Sequence, residues 1–474
     1  MKIHLNPKSF SRQFKIATSV AMSKDVRPVL CNIKIVADKR FGAVLMATDT
    51  EIGIRIPVDC DVSENGEALL PSKQFKQILE SATDERLTLE STQNGILITG
   101  EYDGDEQWGL DTQSPDEFPD VDEFMESAYH EIPSKTLCEM VGRTMFATDT
   151  ENVRYALGGV CFEHDGEIIT VVATDGCRLA TQDTSGIRVN GHEFEPAILP
   201  VNALKLLTKV LKEKFVSDDT DVKMAVNVTE GAERRMSGKV HFQCGGVTIF
   251  SRLVDGSFPK WRSIVPKTDG RLHAQVRCET LRTALDRMIT SKLEPGVLFT
   301  FRRGGLTLES RTQESGQSKA SISVACNDTA EFFVDVNLMR DYLRSLDAET
   351  SIDIYMSLGN DPMLLETDGG GYCYVIMPMK KPAADASVKP EIAEPDADTG
   401  IEVVGQVSTV EEPMESIDEF PCPCPNDDTD LQTRFFQLQM EHDQLQAKAE
   451  HYRVLLDRAL RVIERMKSDQ LVCV

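Results

Sequence analysis

Ala173-Thr174-Asp175-Gly176-Cys177-Arg178-Leu179 is the stretch from which we predict the fold. It follows the apolar run Ile168 to Val172, so we expect a strand that enters a turn at Asp-Gly and leaves it through Leu179. A similar word, Ala47-Thr48-Asp49-Thr50-Glu51, also follows an apolar run. This recurrence indicates that one kind of strand corner is repeated along the chain.

Self-similarity indicates three units with a period of about 130 residues. Each unit opens with a helix-like segment and reaches a second one through a strand; the opening segments are residues 9–22, 134–147 and 279–291, and the second ones are 72–80, 201–214 and 336–346. Short strand-like runs fill the rest of each unit. The sequence therefore predicts an α+β fold in which two helices cover a strand-rich antiparallel sheet in each unit.

A third copy of the word tests this repeat. Ala147-Thr148-Asp149-Thr150-Glu151 matches the first copy letter for letter, but it follows a helix-like segment instead of a strand. Position within the unit is therefore a better guide to structural equivalence than identity of the motif, and we take residues 173–176 as the counterpart of residues 47–50.

Charge alone argues against a nucleic-acid partner, because the chain of 474 residues carries a net charge of -26 and phosphate binding needs Lys and Arg. The distribution of charge points the other way. Basic residues cluster on the helix-like segments and their edges: Lys8, Arg12, Lys15, Lys73, Lys76, Lys135, Arg143, Lys205, Lys209, Lys212, Lys214, Arg282, Arg287, Lys292, Arg340 and Arg344. They either solvate exposed helix faces or line a positive bore in a negative body.

Several function classes find no support in the sequence. No secretory signal or run of about 20 apolar residues is present, so we expect a cytoplasmic protein with no membrane contact. Cysteines inside apolar runs, such as Cys31, Cys161, Cys244 and Cys326, are typical of reduced core thiols. The eight histidines show no metal spacing, and no nucleophile elbow or phosphate loop occurs. We therefore expect no enzyme, no metal and no cofactor.

The composition changes from Pro382 onward. Residues 382–428 are rich in Pro, Asp, Glu, Ala and Ser, which predicts an acidic disordered linker. Apolar residues then recur in a heptad pattern, which predicts a C-terminal coiled-coil-like helix over residues 429–470. We expect this helix to bind a partner or a second assembly.

Six short motifs, taken together and in order, carry a resemblance to a known family. They are Arg27-Pro28-Val29-Leu30, Ala47-Thr48-Asp49, residues 153–160 (VRYALGGV), residues 173–180 (ATDGCRLA), Phe258-Pro259-Lys260-Trp261-Arg262 and residues 374–379 (YVIMPM). Over residues 1–381 the chain resembles the bacterial DNA polymerase III beta sliding clamp. The resemblance implies three clamp domains, here residues 1–127, 128–266 and 267–381, and two chains that close head to tail into a ring with the helices lining the bore.

The resemblance implies a non-catalytic processivity factor that encircles double-stranded DNA without sequence preference. It assigns weak DNA contacts to Lys24, Arg154 and Tyr155, with Lys205 and Lys209 in support, while Asn202 stands where the family often has a basic residue. Trp108 and Leu110 would pack on Met288 and Ile289 across the dimer interface. Alternatively, these four are ordinary core residues.

The resemblance also implies an apolar pocket for short peptide motifs of the DNA polymerase III alpha subunit, other polymerases, the clamp loader complex and repair proteins. Carried over by position, the pocket residues are Leu157, Thr174, Gly176, Cys177, Arg178, Leu179, Pro259, Ile264, Val375, Ile376, Met377, Pro378 and Met379. Cys177 and Ser263 depart from the family's usual residues, so partner preference is open. The competing hypothesis is a clamp-like scaffold that assembles through its tail without loading on DNA.

Overall fold

The computed structural model describes residues 1–22, 27–100, 106–125, 127–151, 156–165, 168–184, 188–189, 194–213, 220–230, 236–288, 290, 295–312, 316–326, 328–357 and 361–380. Residues Met1–Met379 form one compact unit. The predicted linker and C-terminal heptad helix lie outside the described residues. The domain limits stay predictions.

Six α-helices occur in the described part of the chain, two in each repeat. They are α1 (Pro7–Ala17), α2 (Ser72–Ser81), α3 (Ser134–Thr144), α4 (Val201–Leu211), α5 (Cys278–Asp286) and α6 (Val336–Arg344). Five begin where a short strand ends, and α1 begins after Asn6, whose side-chain oxygen accepts hydrogen bonds from the amides of Lys8 and Ser9. This cap starts α1 two residues before the predicted segment, and α1 and α5 end about one turn earlier than the apolar pattern predicts.

Twenty-seven strands lie in the described residues of the three repeats. In the first repeat they are β1 (Lys2–Leu5), β2 (Asn32–Asp38), β3 (Gly42–Thr48), β4 (Ile52–Val58), β5 (Cys60–Glu64), β6 (Gly66–Pro71), β7 (Leu87–Ser91), β8 (Gly95–Gly100) and β9 (Gln107–Asp111). In the second they are β10 (His130–Pro133), β11 (Gly159–Asp165), β12 (Ile168–Thr174), β13 (Arg178–Thr184), β14 (Arg188–Val189), β15 (Ala197–Pro200), β16 (Asp221–Glu230), β17 (Met236–Cys244) and β18 (Val247–Arg252). In the third they are β19 (Leu272–Arg277), β20 (Gly296–Arg302), β21 (Gly305–Thr312), β22 (Gly316–Ser323), β23 (Ala325–Cys326), β24 (Ala330–Asp335), β25 (Ser351–Met356), β26 (Met363–Thr367) and β27 (Tyr372–Ile376).

The sheets run across the boundaries between repeats. One nine-stranded sheet has the order β14-β10-β16-β17-β18-β4-β3-β2-β6, and another has the order β15-β11-β12-β13-β27-β26-β25-β19-β23. We call the antiparallel pair β18–β4 the first junction and the pair β13–β27 the second junction. The remaining sheets, β5-β1-β7-β8-β9 and β22-β21-β20-β24, each lie within one repeat. The predicted strand-rich α+β fold is confirmed.

Each large sheet buries apolar side chains on both faces. The helices pack on one face and form the main core. The opposite face carries two smaller clusters, because neighbouring residues of a strand point to opposite sides. The first-junction cluster consists of Val29, Leu30, Met46, Leu69, Phe118, Val121 and Phe250. The second-junction cluster consists of Cys161, Val172, Leu179, Ile198, Trp261, Leu364 and Val375.

The connections between repeats pack onto these outer clusters. Phe118 and Val121 belong to the connection between the first and second repeats and join the first-junction cluster. Phe258, Trp261 and Val265 belong to the next connection and join or pack against the second-junction cluster. The two boundaries are thus built in the same way. A sheet shared by both repeats is covered on its outer face by the connecting segment. We call this segment the strap; it contains Phe118 and Val121 at the first junction and residues 258–265 at the second.

Two further expectations concern thiols and membranes. Cys161, Cys244 and Cys326 are buried as free thiols, whereas Cys31 is only half-buried. Across the described ranges, no helix combines the length and the apolar character needed to cross a bilayer.

Candidate functional site

The corner between β12 and β13 is held by its own side chains. The Thr174 hydroxyl donates to the carbonyl oxygen of Arg178 at 2.6 Å and accepts from the amide of Gly176 at 3.1 Å. Asp175 Oδ1 accepts from the amides of Cys177 at 2.9 Å and Arg178 at 3.0 Å. Gly176 has a φ of 90°, a conformation that favours glycine. Thr, Asp and Gly therefore encode the turn locally.

The corner between β3 and β4 repeats this geometry. The Thr48 hydroxyl donates to the carbonyl of Ile52 at 2.8 Å and accepts from the amide of Thr50 at 2.9 Å. Asp49 Oδ1 accepts from the amides of Glu51 at 2.9 Å and Ile52 at 2.7 Å. Thr50 takes the position of the glycine with a φ of 77°. The predicted equivalence of the two corners is confirmed.

The third copy of the word folds differently. It follows the 3-10 turn Met145–Ala147, and the Thr148 hydroxyl donates backwards to the carbonyl of Met145 at 3.0 Å. The amide of Asp149 donates to the carbonyl of Leu157 at 2.9 Å. The identical motif therefore has a different structure at this position, as the repeat pattern indicates.

The end of the last strand lies beside the second corner. The amide of Met377 donates to the carbonyl of Cys177 at 2.9 Å, which extends the β13–β27 ladder by one bond. The amide of Met379 donates to the carbonyl of Phe333 at 2.6 Å, so the backbone stays anchored in the third repeat. The side chains of Met377 and Met379 are nevertheless 41% and 36% exposed. A fixed backbone thus presents two flexible apolar side chains to solvent.

Beneath these methionines lies the second-junction cluster. Leu179 and Val375 face each other across the junction and are both 2% exposed. The strap is fixed over them through Glu163, whose carboxylate accepts from Trp261 Nε1 at 3.1 Å and pairs with Arg262. Arg262 also lies over the indole ring, with its Cζ 4.4 Å from the ring centroid. These contacts fix the strap in place over the cluster. Trp261 and Glu163 were not among the predicted site residues.

The structure directs two of the predicted pocket residues away from this face. Ile376 belongs to the main core, because the alternation of β27 places it opposite Val375. Arg178 likewise points to the helix side, where its guanidinium donates to Asp175 Oδ2 at 2.9 Å and to Asp341 Oδ2 in α6 at 2.8 Å. It also donates to the carbonyl of Phe146 at 2.7 Å. Arg178 thus ties the second repeat to the third.

The pKa values follow from these surroundings. Burial lowers the pKa of the Arg178 guanidinium, but the hydrogen bond with Asp341 and neighbouring charges outweigh burial, so the pKa lies above its ordinary value. Burial and the carboxylates of Asp175 and Asp335 raise the pKa of the Cys177 thiol. The residue as a whole is exposed, so the raised pKa reflects its partly covered sulfur and the two carboxylates, and it favours the neutral thiol.

The other predicted pocket residues lie on the segments just described. Thr174, Gly176 and Cys177 form the corner, whereas Pro259 and Ile264 lie on the strap and are half-buried. Half-buried Leu157 lies in the 3-10 turn Ala156–Gly158, next to Ala156, which packs against the second-junction cluster. Pro378 separates the two exposed methionines. The arrangement forms a shallow apolar surface with a rigid backbone rather than a site for chemistry.

On the helix side, lysines from three helices converge. Lys209 Nζ in α4 donates to the carbonyl of Lys15 in α1 at 3.3 Å. Burial lowers the pKa of Lys209, and the positive charges of Lys15 and of Lys76 in α2 lower it further. This mutual repulsion is what a polyanion would relieve.

The predicted DNA contacts and one of the helix arginines have different outcomes. Lys205 is exposed on α4, as predicted, and so is Asn202. Arg143 is buried instead of solvated, with its guanidinium donating to Gln182 at 2.9 Å. Lys24, Arg154 and Tyr155 lie outside the described residues.

As far as the structure describes the chain, the two smaller sheets end in strands that pair on one side only. β9 pairs with β8, and β22 pairs with β21. Trp108 and Leu110 on β9 are half-buried and pack against the main core, while Met288, just after α5, is 5% exposed. Ile289 lies outside the part of the chain that the structure describes.

Comparisons with known proteins identify the fold and its relatives. Residues 1–122 match the family model of the DNA polymerase III beta subunit, N-terminal domain, and residues 131–260 match that of its central domain. The "Beta sliding clamp" of Halalkalibacterium halodurans is 26% identical over 387 residues, covering 78% of this chain and 97% of the relative. That of Pseudomonas aeruginosa is 24% identical over 388 residues, covering 80% and 100%.

Solved structures show the same likeness. A DnaN sliding clamp (DNA polymerase III subunit beta) from Pseudomonas aeruginosa bound to griselimycin superposes with a TM-score of 0.71 at 24% identity, covering 80% of this chain and all of that one. A DNA polymerase sliding clamp from Bacillus subtilis gives a TM-score of 0.72 at 21% identity, with coverage of 80% and 99%. At these identities the superpositions establish the fold.

Proposed function

Because the chain belongs to the DNA polymerase III beta sliding clamp family, we propose that it is the sliding clamp of a replicative DNA polymerase. In this role it is a non-catalytic accessory subunit that closes into a ring around duplex DNA. The ring tethers the polymerase III alpha subunit, other polymerases and the clamp loader complex. We expect it to act in the cytoplasm.

The observation that carries the proposal is the way in which the repeats join. At the first junction the last strand of the second repeat, β18, pairs with the third long strand of the first repeat, β4. At the second junction the last strand of the third repeat, β27, pairs with the corresponding strand of the second, β13. The same rule leaves β22 of the third repeat and β9 of the first repeat to pair with each other in a second copy. Two chains joined in this way close a ring and cover both sheet edges.

The proposed DNA contacts lie on the helix side. Lys15, Lys76 and Lys209 come together there from two repeats, and Lys205 is exposed on the same helix as Lys209. Contacts from lysine chains to phosphates are weak individually and independent of sequence, so they permit sliding. Lys24, Arg154 and Tyr155 remain part of the proposal by family likeness alone.

The proposed peptide site is the apolar surface of the second corner, Leu179, Val375, Met377, Met379 and the strap. Exposed methionines adapt to different apolar anchors, which suits a surface that receives several partners in turn. Arg178 and Ile376 would support this surface from the helix side instead of touching the peptide.

Retention on DNA tests the proposal. The full-length chain is loaded onto a nicked plasmid with the clamp loader of its own source cell, and bound protein is measured before and after the plasmid is linearised. A clamp stays on the circle and leaves the linear form. Replacing Lys205 and Lys209 with Ala should lower retention, whereas replacing Lys267, an exposed lysine outside the helices, should not.

The alternative scaffold makes opposite predictions in the same assay. A dimer that never remains on circular DNA would support a scaffold and overturn the clamp. Trp108→Ala together with Leu110→Ala should yield monomers in light scattering if β9 forms the ring interface. An unchanged dimer would remove β9 from the interface.

Partner binding is tested separately. Met377→Ala with Met379→Ala should weaken binding of the polymerase III alpha subunit by about tenfold, because two exposed apolar side chains that the bound peptide would cover lose their contact area. Met125→Ala is the matched control, since Met125 is 81% exposed and lies far from the second corner in sequence. Equal affinities of both variants would contradict the proposed peptide site.

A further inference from the structure

The tip of the β2–β3 hairpin carries the most exposed aromatic side chain of the described residues. Phe41 is 87% exposed, whereas most other large apolar side chains in the described ranges are buried or half-buried. Asp38 pairs with Gly42 in the ladder, so the loop consists of Lys39, Arg40 and Phe41. This tip lies at the opposite end of β3 from the Thr48 corner, and neither proposed junction uses it.

The tip is held rigidly in spite of its exposure. Asp38 Oδ1 accepts from the amides of Arg40 at 2.7 Å and Phe41 at 3.3 Å. Asn65 accepts from the amide of Lys39 at 2.9 Å and donates to Asp38 Oδ2 at 3.1 Å. Gly42 closes the turn with a φ of 80°. A ligand at this tip would therefore find its backbone already ordered, which lowers the entropy lost on binding.

The two cations of the tip differ from four other basic residues of the first repeat. Among the ion pairs of the described residues, Lys2 pairs with Glu90, Lys34 with Glu67, Arg55 with Glu123 and Arg86 with Asp61. Those ion pairs include neither Lys39 nor Arg40, and both of these side chains are exposed. In a strongly acidic chain, the tip is therefore a local positive site with an aromatic ring beside it.

At the corresponding tips of the other repeats, a pair of cations and an exposed aromatic ring do not occur together. The β20–β21 tip carries Arg302 and Arg303, both exposed, followed by Gly304 and no aromatic residue. The β11–β12 tip approaches through Glu163, His164 and Asp165. Among the described residues of these tips, only those of the first repeat combine two cations and an exposed ring, so this combination is not a requirement of the hairpin.

We propose that the Lys39-Arg40-Phe41 tip binds single-stranded nucleic acid. Phe41 stacks on one base, and Lys39 and Arg40 contact the flanking phosphates, which is the combination that sequence-independent single-strand binding uses. A paired duplex hides its base faces and would leave the ring without a partner. An acidic peptide would satisfy the cations but offers no flat face for stacking.

The test measures anisotropy of a fluorescein-labelled oligothymidylate with the full-length protein. Phe41→Ala should weaken binding about tenfold. Phe41→Leu should weaken it equally, because Leu keeps the apolar bulk but cannot stack, whereas Phe41→Trp should retain it and show quenching of the added indole. Replacing Lys39 and Arg40 with Ala should lower the salt-dependence slope by about 0.7 for each lost phosphate contact.

The matched control removes Arg302 and Arg303, which takes away the same charge from a tip without a ring. This control should leave the Phe41-dependent part of binding unchanged. Thermal unfolding of every variant should match the parent, since the ring is exposed. Unaltered affinity of Phe41→Ala, full affinity of Phe41→Leu, or Phe41-dependent binding of polyglutamate without binding of oligothymidylate would overturn the proposal.

Discussion

The corner at Thr48 and the corner at Thr174 have the same backbone geometry, but the surface of the first is charged and that of the second is apolar. In each, a threonine hydroxyl and an aspartate carboxylate make the same set of bonds, and the next strand adds one ladder bond of 2.9 Å, from Arg252 to Glu51 or from Met377 to Cys177. The residues at that last rung differ. Glu51 and Arg252 are charged and exposed, whereas Cys177 and Met377 are neutral and leave the second corner apolar.

Two residue pairs further inward, the two junctions fill their space differently. Gly53 opposes Phe250 at the first junction, and Leu179 opposes Val375 at the second. A Cβ on Gly53 would lie 2.0 Å from a ring carbon of Phe250, so one aromatic ring occupies the volume that two aliphatic side chains share at the other junction. A few side chains at equivalent positions thus distinguish a joint with a charged, exposed edge from one with an apolar edge.

The largest expected effect breaks the second junction. Arg178→Ala leaves Asp341 and the carbonyl of Phe146 without their buried cation, and we expect a loss of about 3 kcal/mol. The urea midpoint of the first unfolding transition measures it. Arg344→Ala is the control, because Arg344 pairs with the same Asp341 at 3.4 Å but its side chain is 71% exposed. A shift no larger than that of the control would contradict a structural role for Arg178.

The second prediction concerns variants in which the first junction carries the residue pair of the second. Gly53→Leu forces a side chain into the ring of Phe250 and should cost about 2 kcal/mol through overpacking. Adding Phe250→Val recreates the pair found at Leu179 and Val375 and should recover at least half of the loss. Thermal midpoints of the single and double variants measure this, and a double variant no more stable than Gly53→Leu would refute the equivalence of the two pairs.

The third prediction exchanges the turn residues. Gly176→Thr places a β-branched residue at a φ of 90° and should cost about 1 kcal/mol. Thr50→Gly removes strain at a φ of 77°, but glycine also gains freedom in the unfolded chain, so the net change should be smaller. Urea midpoints compare the two. Equal and opposite shifts would indicate that only backbone strain matters.

The smallest effect concerns the strap over the first junction. Asp122 Oδ2 accepts from Lys239 at 2.7 Å and lies 3.4 Å from His241 Nε2. Burial raises the pKa of Asp122, but the bonds and charges of Lys239 and His241 outweigh burial and hold the pKa below its ordinary 3.8. The carboxylate therefore stabilises the fold above pH 3.8, and this contribution is lost as the pH falls through the lower, folded-state pKa.

Asp122→Asn should accordingly cost about 0.3 kcal/mol at neutral pH and nothing in strong acid, since solvent screens a side chain that is one-third exposed. Melting temperatures at both pH values measure the difference. Exposed Asp120→Asn is the control. An Asp122→Asn effect that persists unchanged in strong acid would show that the carboxylate charge does not hold the strap.

Local chemistry made much of this protein predictable. Threonine and aspartate two or three residues from their amide partners build both corners, so the corners could be predicted from short words. The helices follow from apolar periodicity and from residues before their first turns. Their bounds were less predictable, since the Asn6 cap starts α1 two residues before the apolar pattern does.

Pairing between strands that are far apart in the chain determines features that the short motifs do not predict. Apolar periodicity and the recurring motifs predict three repeats of helices and strands. Tertiary structure decided that Arg178 turns inward to Asp341, 163 residues away, and that Gly53 lies under Phe250. The face on which a strand residue lies, and the side chain opposite it, depend on the register with a strand far away in the chain.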